Sequence, residues 1–147
     1  MDNQALPDSS SFELWSRAAY LGMDACGVCI VLVDEAESQA LNAQYRGKHK
    51  PTNVLSFPME LPEHVGERAL GDLVICAPVV EREAREQGKA APAHWAHMVV
   101  HGMLHLQGYD HEADSEAAAM EALEIRILED LGFANPYEQG RVMEPGN

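Results

Sequence analysis

Three histidines constrain this chain more than any other feature. His101 and His105 stand four residues apart, and His111 follows beyond Gly108 in the run HWAHMVVHGMLHLQGYDH, residues 94–111. On an α-helix that spacing sets two side chains on one face, one turn apart. Glycine tolerates the backbone conformation in which helices end, so Gly108 lets the chain turn back and bring His111 toward the same point. Three neutral nitrogen ligands leave a tetrahedral zinc ion one open position for water, which is how catalytic zinc differs from the closed structural kind. A lone helical histidine is more often a packed residue than a ligand. Here the glycine and the third histidine both stand where ligation needs them. His101, His105 and His111 are therefore read as the ligands of one catalytic Zn²⁺ per chain. His94 and His97 extend the stripe and are read as packing residues or orienting partners, since a fourth imidazole would close the site. Asp110 is read first as a turn residue.

The rest of the chain sets the frame for such a site. Its 147 residues suit one domain over 1–147, and 46% hydrophobic with 23% charged residues is an ordinary globular balance. No apolar run approaches the ~18 residues of a membrane span, and MDNQALPDSSSFELW lacks the basic start and apolar stretch of a secretory signal. A cytoplasmic protein with no membrane partner is expected. The three cysteines, Cys26, Cys29 and Cys76, are an odd number and are read as reduced, buried or inert thiols. A net charge of −14 excludes nucleic-acid binding through a broad electrostatic surface, so no DNA partner is expected and any RNA contact must be local.

Hydrophobic periodicity predicts an α+β domain, with a small mixed sheet of about four strands packed with about five helices. A first helix is expected over 9–23, capped by its serines. The nearly all-apolar VCIVLVD, 28–34, reads as a strand buried on both faces, followed by a helix over 35–45 closed by Gly47. Strands are expected over 54–59 and 72–77, then a polar amphipathic helix over 78–88. Pro92 opens the histidine helix, which stops at Gly108. The last helix, about 115–131, has Met120, Leu123, Ile127 and Leu131 as its buried stripe. Residues 134–147 carry no periodicity and are read as a loose tail.

The segment HGMLHLQGYDH follows the metzincin protease spacing HExxHxxGxxH, giving a zincin-like metal-binding helix, with Gly102 in place of the catalytic glutamate. Loss of that general base is expected to cost about 10²–10⁴-fold, which disfavours peptide hydrolysis. A second feature suggests another substrate. YRGKHKP, 45–51, gathers Arg46, Lys48, His49 and Lys50 in a chain with only 10 Lys and Arg. Arginine grips a phosphate bidentately and steadies charge developing on its oxygens, although a solvated loop also explains such a cluster.

In three blocks, YRGKHKPTNVLSFP, LGDLVICAP and HMVVHGMLHLQGYDH, the sequence resembles the YbeY family of bacterial endoribonucleases, in the family's order. The resemblance implies a cytoplasmic, single-strand-specific zinc endoribonuclease acting in maturation of the 3′ end of small-subunit ribosomal RNA and in ribosome quality control. It implies ribosomal RNA, and the ribosome or its proteins, as partners. It places zinc on His101, His105 and His111 and a functional arginine on Arg46, which is assigned as the catalytic phosphate-binding residue, with Lys48 as a second phosphate contact. Family members often carry Asp where this chain has His49 and Asn53. Two other readings stay open: a non-catalytic ribosome-assembly factor with structural zinc, and a peptide or small-molecule zinc hydrolase.

Overall fold

A helix leaves backbone donors and acceptors unpaired at its ends, and the elements begin and stop where the sequence can satisfy them. The computed structural model describes residues 6–22, 27–58, 69–109 and 114–137. Helix α1 spans Ser9–Ala19, and its cap is Asp8 rather than a serine: the carboxylate accepts from the Ser11 amide at 2.9 Å. Strand β1, Gly27–Val33, leads to α2, Glu35–Arg46, capped by Asp34 and closed by Gly47 in the left-handed conformation that favours glycine. Strands β2, Val54–Pro58, and β3, Ala69–Cys76, precede α3, Ala77–Gln87. Helices α4, Ala91–Leu106, and α5, Asp114–Asp130, complete the order. Among the described residues no helix is long and apolar enough to cross a membrane.

The sheet has the order β1-β3-β2, with β1 parallel and β2 antiparallel to β3. Three strands stand among the described residues, against the four expected. The expectation for β1 is also corrected. Among the described strands it lies at the sheet edge, its residues alternate between exposed and half-buried, and only Val33 is buried, with Val31 41% exposed. An all-apolar run cannot by itself distinguish a central strand from an edge strand. Cys29 is accordingly exposed, while Cys76, in the centre strand, is buried.

Pairing of Val54 with Ile75 and Ser56 with Leu73 sets these four side chains on one face, and α4 packs on that face. The fit is close. A Cβ added at Gly102 would lie 2.7 Å from Leu73 and 3.2 Å from Val54, and the Gly102 carbonyl accepts from the Ser56 hydroxyl at 3.2 Å. Nearer the start of α4, edge-to-face contacts pass in series from Trp95 to Phe12, from Phe12 to Trp15 and from Trp15 to Phe133, tying α1 and the segment just after α5 to it. The opposite sheet face holds a small cluster of Val33, Cys76 and Val79. There Ser38 of α2 holds Thr52 through reciprocal hydrogen bonds, and Tyr45 packs on Phe57 at 4.4 Å.

The expected tail does not begin loose. Tyr137 is docked against α4 and α5, its amide held by the Asn135 side chain at 2.8 Å; residues 138–147 lie outside the described residues. The close approach at Gly102 yields a stability prediction. Gly102→Ala gains about 1 kcal/mol of helix propensity but forces a methyl into fully buried Leu73, a cost of about 1–3 kcal/mol. Net destabilisation is expected as a lower urea midpoint with unchanged slope.

Candidate metal centre

Helix α4 carries His94, His97, His101 and His105 at helical spacing. Their rings succeed one another edge to face, with centroids separated by 6.0, 6.3 and 4.7 Å in chain order. The first two are buried and the last two half-buried, so the stripe runs from the interior toward the surface. The last pair is the one predicted to ligate. Zinc–nitrogen bonds of about 2.0–2.1 Å put two ligand rings at a tetrahedral angle with centroids about 5 Å apart. The 4.7 Å between His101 and His105 fits that requirement.

Helix α5 adds a carboxylate that sequence reasoning missed. Glu124 is fully buried, at 0% exposure. Its Oε2 accepts from His101 Nδ1 at 2.5 Å, and its Oε1 accepts from His97 Nε2 at 3.0 Å and from the Tyr137 hydroxyl. Burial alone would push this carboxyl up, but the hydrogen bonds from His101 and His97 outweigh it and bring it down to about 2. An ionised carboxylate only accepts, so each ring nitrogen facing it carries the proton. His101 then keeps its lone pair on Nε2, the form in which a histidine ligates a metal while its other N–H rests on a carboxylate. Burial pushes His97 down, which keeps its ring neutral, and burial together with the Glu124 hydrogen bond pushes Tyr137 up. The missed signal was positional. Glu124 stands four residues after Met120 and three before Ile127, inside the stripe read as apolar.

The third expected ligand, His111, lies outside the described residues, as do Asp110 and Glu112, and among the described residues no group of three or more candidate ligands is placed to hold a metal. Gly108 has φ 103°, the backbone predicted for the turn. Arg46 and Lys48 are exposed at the C-terminal end of α2. The loop after them is fastened to α2: the Lys48 amide donates to the Asn42 carbonyl at 3.3 Å and Asn42 Nδ2 to the Lys50 carbonyl at 2.8 Å. A line of contacts runs from this end of α2 to the histidine helix: Tyr45 packs on Phe57, and the adjacent Ser56 bonds the carbonyl of Gly102, the neighbour of His101.

A sequence profile described as Endoribonuclease YbeY matches residues 11–132. The chain is 63% identical over 137 residues to the endoribonuclease YbeY of Methylococcus capsulatus, covering 93% of this chain and 91% of that relative. The chain belongs to the YbeY endoribonuclease family. The same enzyme of Alteromonas mediterranea is 57% identical over 90% of this chain and 85% of its own length. The solution structure of TM1509 from Thermotoga maritima superposes with a TM-score of 0.55 at 30% identity, covering 94% of this chain and 87% of that one. In this YbeY-family chain position 102 faces the sheet, where a Cβ would lie 2.7 Å from Leu73, so a protease-type glutamate would have to displace that side chain.

The other buried histidine also rests on a carboxylate. His94 Nε2 donates to Glu83 Oε1 at 2.9 Å, and Asn53 Nδ2 donates to the same oxygen at 3.1 Å. Asn53 thereby joins the start of β2 to α3, on the carboxylate that also takes His94 of α4. These three residues, with Lys89, His97 and Tyr137, line a cavity of about 300 Å³ at the buried end of the histidine stripe. A larger groove, about 780 Å³, lies between α1 and β1 and includes none of the histidines. Burial would push Glu83 up, but the bonds from His94 and Asn53 outweigh it and hold its carboxyl below the usual 4.5. A carboxyl lowered by folding stabilises above its unfolded pKa and loses that effect as pH falls through the folded one. The stability gap between wild type and Glu83→Gln should therefore be full at neutral pH and narrow below pH 4.5, as read by urea midpoints across that range. A gap independent of pH contradicts the pairing.

Proposed function

We propose that this chain is a zinc-dependent, single-strand-specific endoribonuclease that acts in maturation of the 3′ end of small-subunit ribosomal RNA and in ribosome quality control. The observation that carries the metal reading is the His101–His105 pair, with rings 4.7 Å apart and His101 Nδ1 2.5 Å from a buried carboxylate. His101, His105 and His111 are the residues that would hold the ion. When bound, it lowers the pKa of a water from about 16 to about 7 and polarises the scissile phosphate. YbeY membership supports RNA as the substrate.

The chain's own residues supply the rest. Arg46, at the exposed end of α2, reaches for non-bridging phosphate oxygens and balances the charge they gain as the phosphodiester breaks. Lys48 adds a second contact to the RNA backbone. Fastening of the loop by Asn42 and Ser38 keeps these cations in place relative to β2. With a net charge of −14, long-range attraction of RNA is absent. The substrate is held by this local basic cluster and by the ribosomal particle in which it is presented. The site works in the cytoplasm, where ribosomes mature.

Arg46→Ala is expected to lower cleavage of a single-stranded ribosomal RNA fragment by about 10²–10³-fold while zinc content stays near one ion per chain. Undiminished cleavage removes Arg46 from the mechanism. Chelation should abolish cleavage and added zinc restore it. Loss of cleavage in His101→Ala with ribosome association intact supports the enzyme over a non-catalytic assembly factor with structural zinc, which has no cleavage to lose.

A further inference from the structure

We propose that Glu124 is a positioning residue of the metal centre: its buried carboxylate fixes His101 as the Nδ1–H tautomer and thereby presents Nε2 to the ion. The inference rests on the zinc reading above and adds to it a residue from another helix. An imidazole in water exchanges its proton between the two nitrogens. With Glu124 Oε2 at 2.5 Å from Nδ1, the tautomer protonated at Nε2 would turn a lone pair onto an anion, so that form is disfavoured. The carboxylate is itself kept from turning. His97 and the Tyr137 hydroxyl both donate to Oε1, which leaves Oε2 directed at His101. Three donors from α4 and from the segment after α5 thus set one acceptor, and that acceptor sets one ring.

A purely structural role predicts something different. If Glu124 served only to satisfy buried His97 and Tyr137, the proton position on His101 would be indifferent to it. Glutamine at 124 tests this, because its amide keeps the shape but offers a single accepting oxygen to two imidazole N–H groups. One ring must then face an NH₂ group.

The first measurement needs no variant. A two-bond ¹H–¹⁵N spectrum of the zinc-free, labelled wild-type protein at neutral pH should show His101 protonated at Nδ1 and bare at Nε2; a ring protonated at Nε2 overturns the proposal. The second is zinc affinity by competition with a chromophoric chelator, alongside thermal unfolding of the zinc-free protein. Glu124→Gln should bind zinc about 10–100-fold more weakly while the zinc-free chain still unfolds cooperatively. A folded Glu124→Gln protein with wild-type affinity also overturns the proposal. A wild-type chain that takes up no zinc sinks the zinc reading of the previous subsection, and the tautomer spectrum then still decides whether Glu124 sets His101.

Discussion

Helix α4 is enclosed by α1, α3, α5 and two strands of the sheet, and a charge that such a helix meets in the interior is costly unless it is paired within the protein. The helix turns four histidines along one stripe. Beside that stripe the helix is seated so closely on the sheet that a Cβ added at position 102 would press on Leu73 and Val54. Close seating on the sheet fixes the helix's rotation, and that rotation fixes where the imidazoles point. Packing and chemistry are therefore one constraint seen from two sides of the same helix.

Two carboxylates answer the histidine stripe, each from a different neighbour. Glu83 of α3 takes His94, and Glu124 of α5 takes His97 and His101. Placing one fully buried and one half-buried anion in a chain that is already acidic is costly unless each is paired. Here each is paired by N–H groups, and the ionised form is favoured over the neutral acid in both. A dication at the exposed end of the stripe would bring the balance closer to neutrality, which matches donors chosen for a metal rather than for a hydrophobic contact.

The histidine helix was legible from sequence because three independent cues agree there: four-residue spacing, proline at the start and glycine at the end. The helix and strand order was legible for the same reason, through periodicity bounded by turn residues. What escaped was whatever depends on contacts between distant segments. Glu124 reads as one more surface charge until the α4–α5 packing buries it. Asn53 and Glu83 lie 30 residues apart and meet only in the fold. The burial of β1 was overestimated because an all-apolar strand carries no mark of which neighbours it will have. Tyr137 sits in a segment without periodicity, and a single docked side chain leaves none.

Strand β1 has one further consequence. Many proteins guard an edge strand with lysine, proline or a bulge at its middle, so that it does not template another chain. GVCIVLV carries no charge and no proline, and its outer edge pairs with no other described strand. Mutual repulsion from a net charge of −14, weakened by salt, opposes pairing between two such edges. Ionic strength therefore bears on this strand's tendency to pair with a second chain, at a surface distinct from the histidine stripe.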